Sequence, residues 1–165
     1  MKTEKQKRRT LMMILIWMTV IFTMSNQQGE ESGAVSGSVS YQVVSAVDKV
    51  LHWNLSEQEM IARAEAIQYP VRKCAHMTEY AILAILLVRH LCTYTSLGKQ
   101  KRRWFFAWIL TIAYAVTDEY HQTFVNGRSG SPIDVCIDAT GACIGLLILS
   151  LCYRILSKRR GDRNE

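Results

Sequence analysis

Trp104-Phe105-Phe106-Ala107-Trp108-Ile109-Leu110-Thr111-Ile112-Ala113-Tyr114-Ala115-Val116-Thr117 runs without a charge into Asp118-Glu119-Tyr120-His121-Gln122. Counting outward from Trp104 by the roughly 20 residues that a helix needs to cross a bilayer reaches Thr123. Asp118, Glu119, His121 and Gln122 therefore fall in the last quarter of a membrane-length helix, not in a loop. Ionisable groups at that depth are costly unless paired or wetted, so the segment reads both as a span and as a candidate site. Arg128, Asp134 and Asp138 extend the cluster to seven polar residues within 21 positions.

Outward from this stretch the chain repeats the pattern. Apolar runs near residues 11–24, 81–97, 104–117 and 139–153 alternate with segments dense in Lys, Arg, Glu and Asp, so a mean hydropathy of +0.03 conceals strong segregation. Each strictly apolar run is shorter than a span needs, and each helix must borrow polar residues from one end. The expected architecture is an all-α membrane protein, a bundle of four transmembrane helices over about residues 10–25, 73–97, 104–124 and 132–156, in a single domain covering 1–165. Buried helices of a soluble α protein are the competing explanation.

Cations set the expected orientation. Lys2, Lys5, Lys7, Arg8 and Arg9 precede the first run; Lys99, Lys101, Arg102 and Arg103 separate the second and third; Lys158, Arg159, Arg160 and Arg163 follow the fourth. Both termini and the 98–103 loop are then cytoplasmic, and residues 26–71 form an extracytoplasmic insertion between spans one and two. Segments 25–80 and 118–138, facing outward, hold eleven of the fourteen acidic residues. The +6 net charge is thus a topology signal and implies no nucleic-acid partner. The basic start and apolar Leu11–Met24 stretch also resemble a secretory signal, but no small-x-small cleavage site follows closely, which favours an uncleaved anchor. Cys74, Cys92, Cys136, Cys143 and Cys152 fall in or beside spans and read as small core residues, neither disulfides nor metal ligands.

Within the insertion, Asn26 to Ser40 is rich in Gly, Ser and Gln and reads as a linker. Val43, Val44, Val47, Val50 and Leu51 recur at helical spacing and predict a short amphipathic helix. Ser56 and Glu59 form a capping-box pattern with Leu55 and Met60 as its staple, which starts a second helix at about Glu57 that Pro70 ends. Both helices are expected on the outer membrane surface or over the bundle.

Span two opens with Lys73, His76, Glu79 and Tyr80 at spacings of three and four, one polar stripe where the chain enters the bilayer. Snorkelling anchors would account for Lys73 and Tyr80, less well for Glu79. Arg89 and His90 are expected to snorkel toward the inner surface. On span three the same spacing places Asp118, His121 and Gln122 on one face and turns Glu119 aside. Asn126-Gly127-Arg128-Ser129-Gly130 reads as a tight turn. Ser131 suits an N-cap and Pro132 the first helical position of span four, where the helix dipole favours Asp134. Asp138 lies one turn below Asp134 on a face continued by Gly141 and Gly145, whose Gly-x-x-x-Gly spacing admits a second helix at close range.

Three ordered blocks carry a family resemblance: Lys73-x-x-His76-x-x-Glu79-Tyr80; Asp118-Glu119-Tyr120-His121-Gln122-x-Phe124-Val125-x-Gly127-Arg128; and Asp134-x-x-x-Asp138-x-x-Gly141. They resemble the signature blocks of the VanZ-like membrane proteins, and Met24-Ser25-Asn26-Gln27 is similar to that family's Phe-Ser-x-Gln element with Met in place of Phe. Asn126 departs from the pattern, since Pro is common before Gly-Arg, and implies a looser turn. The resemblance implies a multi-pass protein of the bacterial plasma membrane. Its namesake branch is associated with resistance to teicoplanin and related lipoglycopeptides without a change in the peptidoglycan precursor's terminus, while most members have no assigned activity.

Three readings of the cluster stay open. In the first it recognises a lipid head group, a lipid-linked wall precursor or an acylated antibiotic, with Lys73, His76, Glu79, Tyr80, Asp118, Glu119, Gln122, Arg128, Asp134 and Asp138 as binding candidates; Arg128 would grip an anion by its fork and Lys73 as a point charge. In the second it is a membrane-embedded hydrolase or transferase acting on a lipid-linked head group, with His76, Glu79, Asp118, Glu119 and His121 as acid, base or ligand candidates. The spacings form no diagnostic metal-ligand set, and no cofactor is implied. In the third the charges pair among themselves and only hold the bundle together. Nothing in the sequence indicates an oligomeric state.

Overall fold

The computed structural model describes residues 4–94 and 100–161, so Lys2, residues 95–99 with Lys99, and Arg163 lie outside the described residues. Among those described there are five helices and no strand: α1 Glu4–Ser25, α2 Gly29–Leu51, α3 Glu57–Leu91, α4 Gln100–Gln122 and α5 Pro132–Gly161. Three of them, α1, α3 and α5, are long and apolar enough to cross a membrane. The fourth expected span, α4, is not among them. Its 23 residues would reach about 34 Å, but the polar end from Asp118 to Gln122 dilutes its apolar run.

Contacts fix the relative directions of four helices. Thr10 Oγ1 of α1 lies 2.8 Å from His90 Nδ1 near the end of α3, while Ser25 at the other end of α1 meets Asp118 near the end of α4. Gly141 and Gly145 of α5 face Met77 and Ala81 of α3 in the same order. So α1 and α4 run one way and α3 and α5 the other, which gathers Ser25, Tyr80, Asp118 and Asp134 at one end. His90, expected to snorkel, is instead engaged by α1.

Small side chains let the helices close in. A Cβ on Gly141 would sit 2.3 Å from the Met77 carbonyl oxygen, and one on Gly145 2.7 Å from that of Ala81. Ala84, Val88, Ala107, Ala142 and Leu146 form one core cluster, and Ile14, Ile21, Tyr80, Leu83 and Ala115 a second. Large apolar residues point outward: Leu147 is 68% exposed, Ile16 58% and Phe105 57%. Close helix contacts at Ala and Gly under a surface of Leu, Ile and Phe suit lipid and argue against the soluble-bundle explanation. The cysteines follow this outward rule. All five are free and four are exposed, so they are not the core residues expected of them.

The insertion differs most from its sequence reading. No linker occupies 26–40; α2 begins at Gly29 and runs through it. Gly33, Ser36, Gly37 and Ser40 recur at spacings of three and four and form the face laid on α3, where Gln68 Nε2 donates to the Gly33 carbonyl at 2.7 Å and to Ser36 Oγ at 3.0 Å. A small-residue packing face has the composition of a flexible segment. Of the α2 valines only Val44 is buried; Val35, Val39, Val43, Val47 and Val50 face outward.

The capping box at Ser56 and Glu59 forms as expected. Pro70, however, does not end the helix: α3 continues through it to Leu91. Pro removes one backbone hydrogen bond, but α2 contacts α3 on both sides of it, at Gln68 and at Arg72, and α5 packs against Met77 and Ala81 beyond it, so the helix is held on both sides of the lesion.

Candidate functional site

The gathered end of the bundle holds two tiers of polar groups. The deeper one centres on Asp118, which is 3% exposed. Its Oδ2 accepts from Ser25 Oγ of α1 at 2.6 Å, from Tyr80 OH of α3 at 3.0 Å and from Gln122 Nε2 of α4 at 3.3 Å. Three helices thus share one carboxylate oxygen. Oδ1 has no partner.

Glu119 closes the α4–α5 junction. Its Oε1 accepts from Gln122 Nε2 at 2.9 Å and its Oε2 from the Ser131 backbone N–H at 3.0 Å, ahead of α5, where a negative charge is favoured. Ser131 Oγ in turn accepts from the Ile133 N–H, the N-cap contact expected of it. The turn between the helices is pinned and not loosened by Asn126. Arg128 N–H donates to the Val125 carbonyl at 3.1 Å, and Gly29 N–H reaches from the start of α2 to the Asn126 carbonyl at 3.1 Å. Gly127 supplies the positive φ of 73° that the turn requires.

Nearer the opening, Lys73, His76, Gln122, Arg128 and Asp134 line a polar cavity of about 310 Å³. Lys73 Nζ is spent on Asp134 Oδ1 at 2.5 Å and also lies over the Tyr69 ring. Arg128 donates to Gln122 Oε1 at 3.0 Å, Ser32 Oγ at 2.7 Å and the Met24 carbonyl at 3.4 Å, all uncharged acceptors. Arg72 also faces the cavity; its Nη2 reaches Ser36 Oγ at 3.5 Å and its buried Nε has no partner among the described residues. Among the described residues neither guanidinium is paired with a carboxylate. Gln122 links the tiers, accepting from Arg128 while donating to Asp118 and Glu119.

Two candidates stand apart from this arrangement. His121 turns toward α1, with Nε2 3.3 Å from Asn26 Oδ1 and its ring 4.7 Å from that of Phe22. At about 100° per residue, Gln122 lies about 40° and Glu119 about 100° round from Asp118 on one side, and His121 about 60° on the other. The buried face is centred toward Glu119, so the expected grouping of Asp118 with His121 fails and Glu119 takes the place. Asp138 is 1% exposed, and neither of its oxygens has a partner among the described residues. It does not line the cavity. His76 and Glu79 face each other at 3.7 Å.

No group of three or more His, Cys, Asp or Glu among the described residues is placed to hold a metal ion. Ser25 stood in the Met24-Ser25-Asn26-Gln27 element but was not counted among the site candidates, and Ser32, Ser36 and Arg72 were missed. Arg72 stood beside the Lys73 stripe and could have been counted, whereas the α2 serines were hidden in an apparent linker. A model of the VanZ/LLP1 family matches residues 10–153, which takes in every polar group described above. No curated protein and no solved structure matches the chain.

Proposed function

The chain belongs to the VanZ/LLP1 family, and we propose that it is a polytopic protein of the bacterial plasma membrane whose polar cavity, at the outer face, recognises an anionic head: that of a lipid, a lipid-linked cell-wall precursor or a lipoglycopeptide. In this reading α4 is a fourth span beside α1, α3 and α5, and both termini are cytoplasmic. One observation carries it: Arg72 and Arg128 face a common cavity, and among the described residues neither makes a direct ion pair with a carboxylate. A partly buried guanidinium without an anion is an incomplete arrangement, and its planar fork fits phosphate or carboxylate. Lys73, committed to Asp134, is a lesser contributor.

The test is lipid extraction and mass spectrometry of wild type, Arg128→Ala and the remote control Glu30→Gln, purified at equal membrane levels. An anionic species should accompany wild type and the control and be lost from Arg128→Ala. In cells, if the ligand is the antibiotic, Arg128→Lys should abolish protection against teicoplanin that wild type and Glu30→Gln provide. Identical co-purification by all three proteins would sink the recognition reading.

The His76–Glu79 pair at the cavity edge favours a second reading, a hydrolase or transferase acting on such a head group, because a carboxylate beside an imidazole can orient a general base. Turnover of the co-purified species by wild type and not by His76→Gln would support it.

A further inference from the structure

The polar cavity has an apolar neighbour. A groove of about 210 Å³ lies between the end of α1 and the facing sides of α2 and α3, with Met24, Val35, Val39, Val71 and Ala75 along its walls. The two spaces share Arg72, His76 and Arg128. Glu79 also borders the groove, but its carboxylate is turned to His76 at 3.7 Å. Val35 and Val39 are 47% and 44% exposed, so the groove is open along α2.

A free inorganic anion would use only the first space. A neutral lipid would bring neither guanidinium an anion. A molecule charged at one end and apolar at the other satisfies both spaces and places its junction at the residues they share. We propose that the ligand is an anionic amphiphile whose phosphate or carboxylate lies between Arg72 and Arg128 while one acyl chain occupies the groove walled by Met24, Val35, Val39, Val71 and Ala75. This rests on the head-recognition reading and adds the acyl chain to it. The role of α2 follows directly: its small-residue face docks it on α3, and its outward valines supply one wall of the chain site.

The experiment uses the full chain in phosphatidylcholine nanodiscs with a lysophosphatidate carrying a photoreactive diazirine at the end of its acyl chain; labelled peptides are read by mass spectrometry. Labelling should concentrate on Met24, Val35, Val39 and Val71. Val39→Trp, which fills the groove from an exposed position, should reduce it about tenfold, the equivalent of two methylenes losing their contacts. Ala75→Leu should act in the same direction, with thermal melting confirming that both variants fold. Arg128→Ala should also reduce labelling, and the same chain on lysophosphatidylcholine should label weakly. Competition identifies the source: displacement by teicoplanin but not by its form lacking the acyl chain points to the antibiotic, and displacement by unlabelled lysophosphatidate alone points to a membrane lipid.

If Arg128→Ala suppresses labelling while both groove variants leave it intact, or labelling is spread evenly over the outer faces of α1 and α5, the chain site is wrong and head recognition survives. If Arg128→Ala labels like wild type and the phosphatidylcholine probe labels equally, head recognition itself is wrong.

Discussion

Glu119 and Asp138 are both buried carboxylates, at 5% and 1% exposure, yet the structure surrounds them differently. Glu119 accepts from two donors, the Gln122 amide and the Ser131 backbone N–H. Glu119→Gln offers only one oxygen for those two donors, so one must be stranded, which costs about 1–3 kcal/mol. Thermal melting in nanodiscs should show a lower midpoint; an unchanged one would mean that the α4–α5 clasp does not hold the fold. Among the described residues Asp138 has no donor on either oxygen. Asp138→Asn replaces a buried carboxyl that no donor stabilises, and the melting midpoint should hold or rise, whereas Asp118→Ala, which strands Ser25, Tyr80 and Gln122, should lower it. Loss of ligand recovery by a folded Asp138→Asn protein would show that the uncompensated carboxyl serves function at the expense of stability.

Between elements, glycine has two distinct uses. At Gly141 a Cβ would meet the Met77 backbone, which cannot yield as a side-chain end can. Gly141→Ala should force α5 away from α3 and cost about 1–3 kcal/mol by overpacking. At Gly33 a Cβ would find only the Gln68 amide nitrogen, 4.0 Å away. Gly33→Ala in the interior of α2 should therefore be neutral or gain up to about 1 kcal/mol of helix propensity. Opposite shifts of the melting midpoint check the contrast; equal losses would mean that α2 packs on α3 more tightly than described. The same elements show why Pro70 and the Gly/Ser segment misled a local reading. Helix continuity at both places is decided by a packed neighbour that no window of sequence contains.

For the whole molecule the question is orientation. Four helices alternate in direction, so the two ends of the bundle face opposite ways, and the cations of residues 5–9, 101–103 and 158 share the end away from the cavity. If the positive-inside rule governs, a cysteine in place of exposed Gln58 should react with a membrane-impermeant thiol reagent in intact cells, and one in place of exposed Lys101 should not, with the five native cysteines replaced by alanine. The reverse pattern would put the cavity on the cytoplasmic side and remove cell-wall precursors and external antibiotics as ligands.

Helical class, the apolar spans of α1, α3 and α5, the Ser56 cap and the Ser131–Pro132 start of α5 were legible in the sequence because each depends on residues within one or two turns of one another. The polar blocks were legible for the same reason: charges inside apolar runs stand out without any knowledge of their partners. What could not be read was who meets whom. That Lys73 is spent on Asp134, that Glu119 and not His121 joins Asp118, that a Gly/Ser stretch is a docking face, and that Arg72 and Arg128 make no direct ion pair among the described residues all depend on how residues far apart in the chain are brought together. Such contacts follow from how closely whole helices approach and rotate against one another, and only the packed bundle determines that.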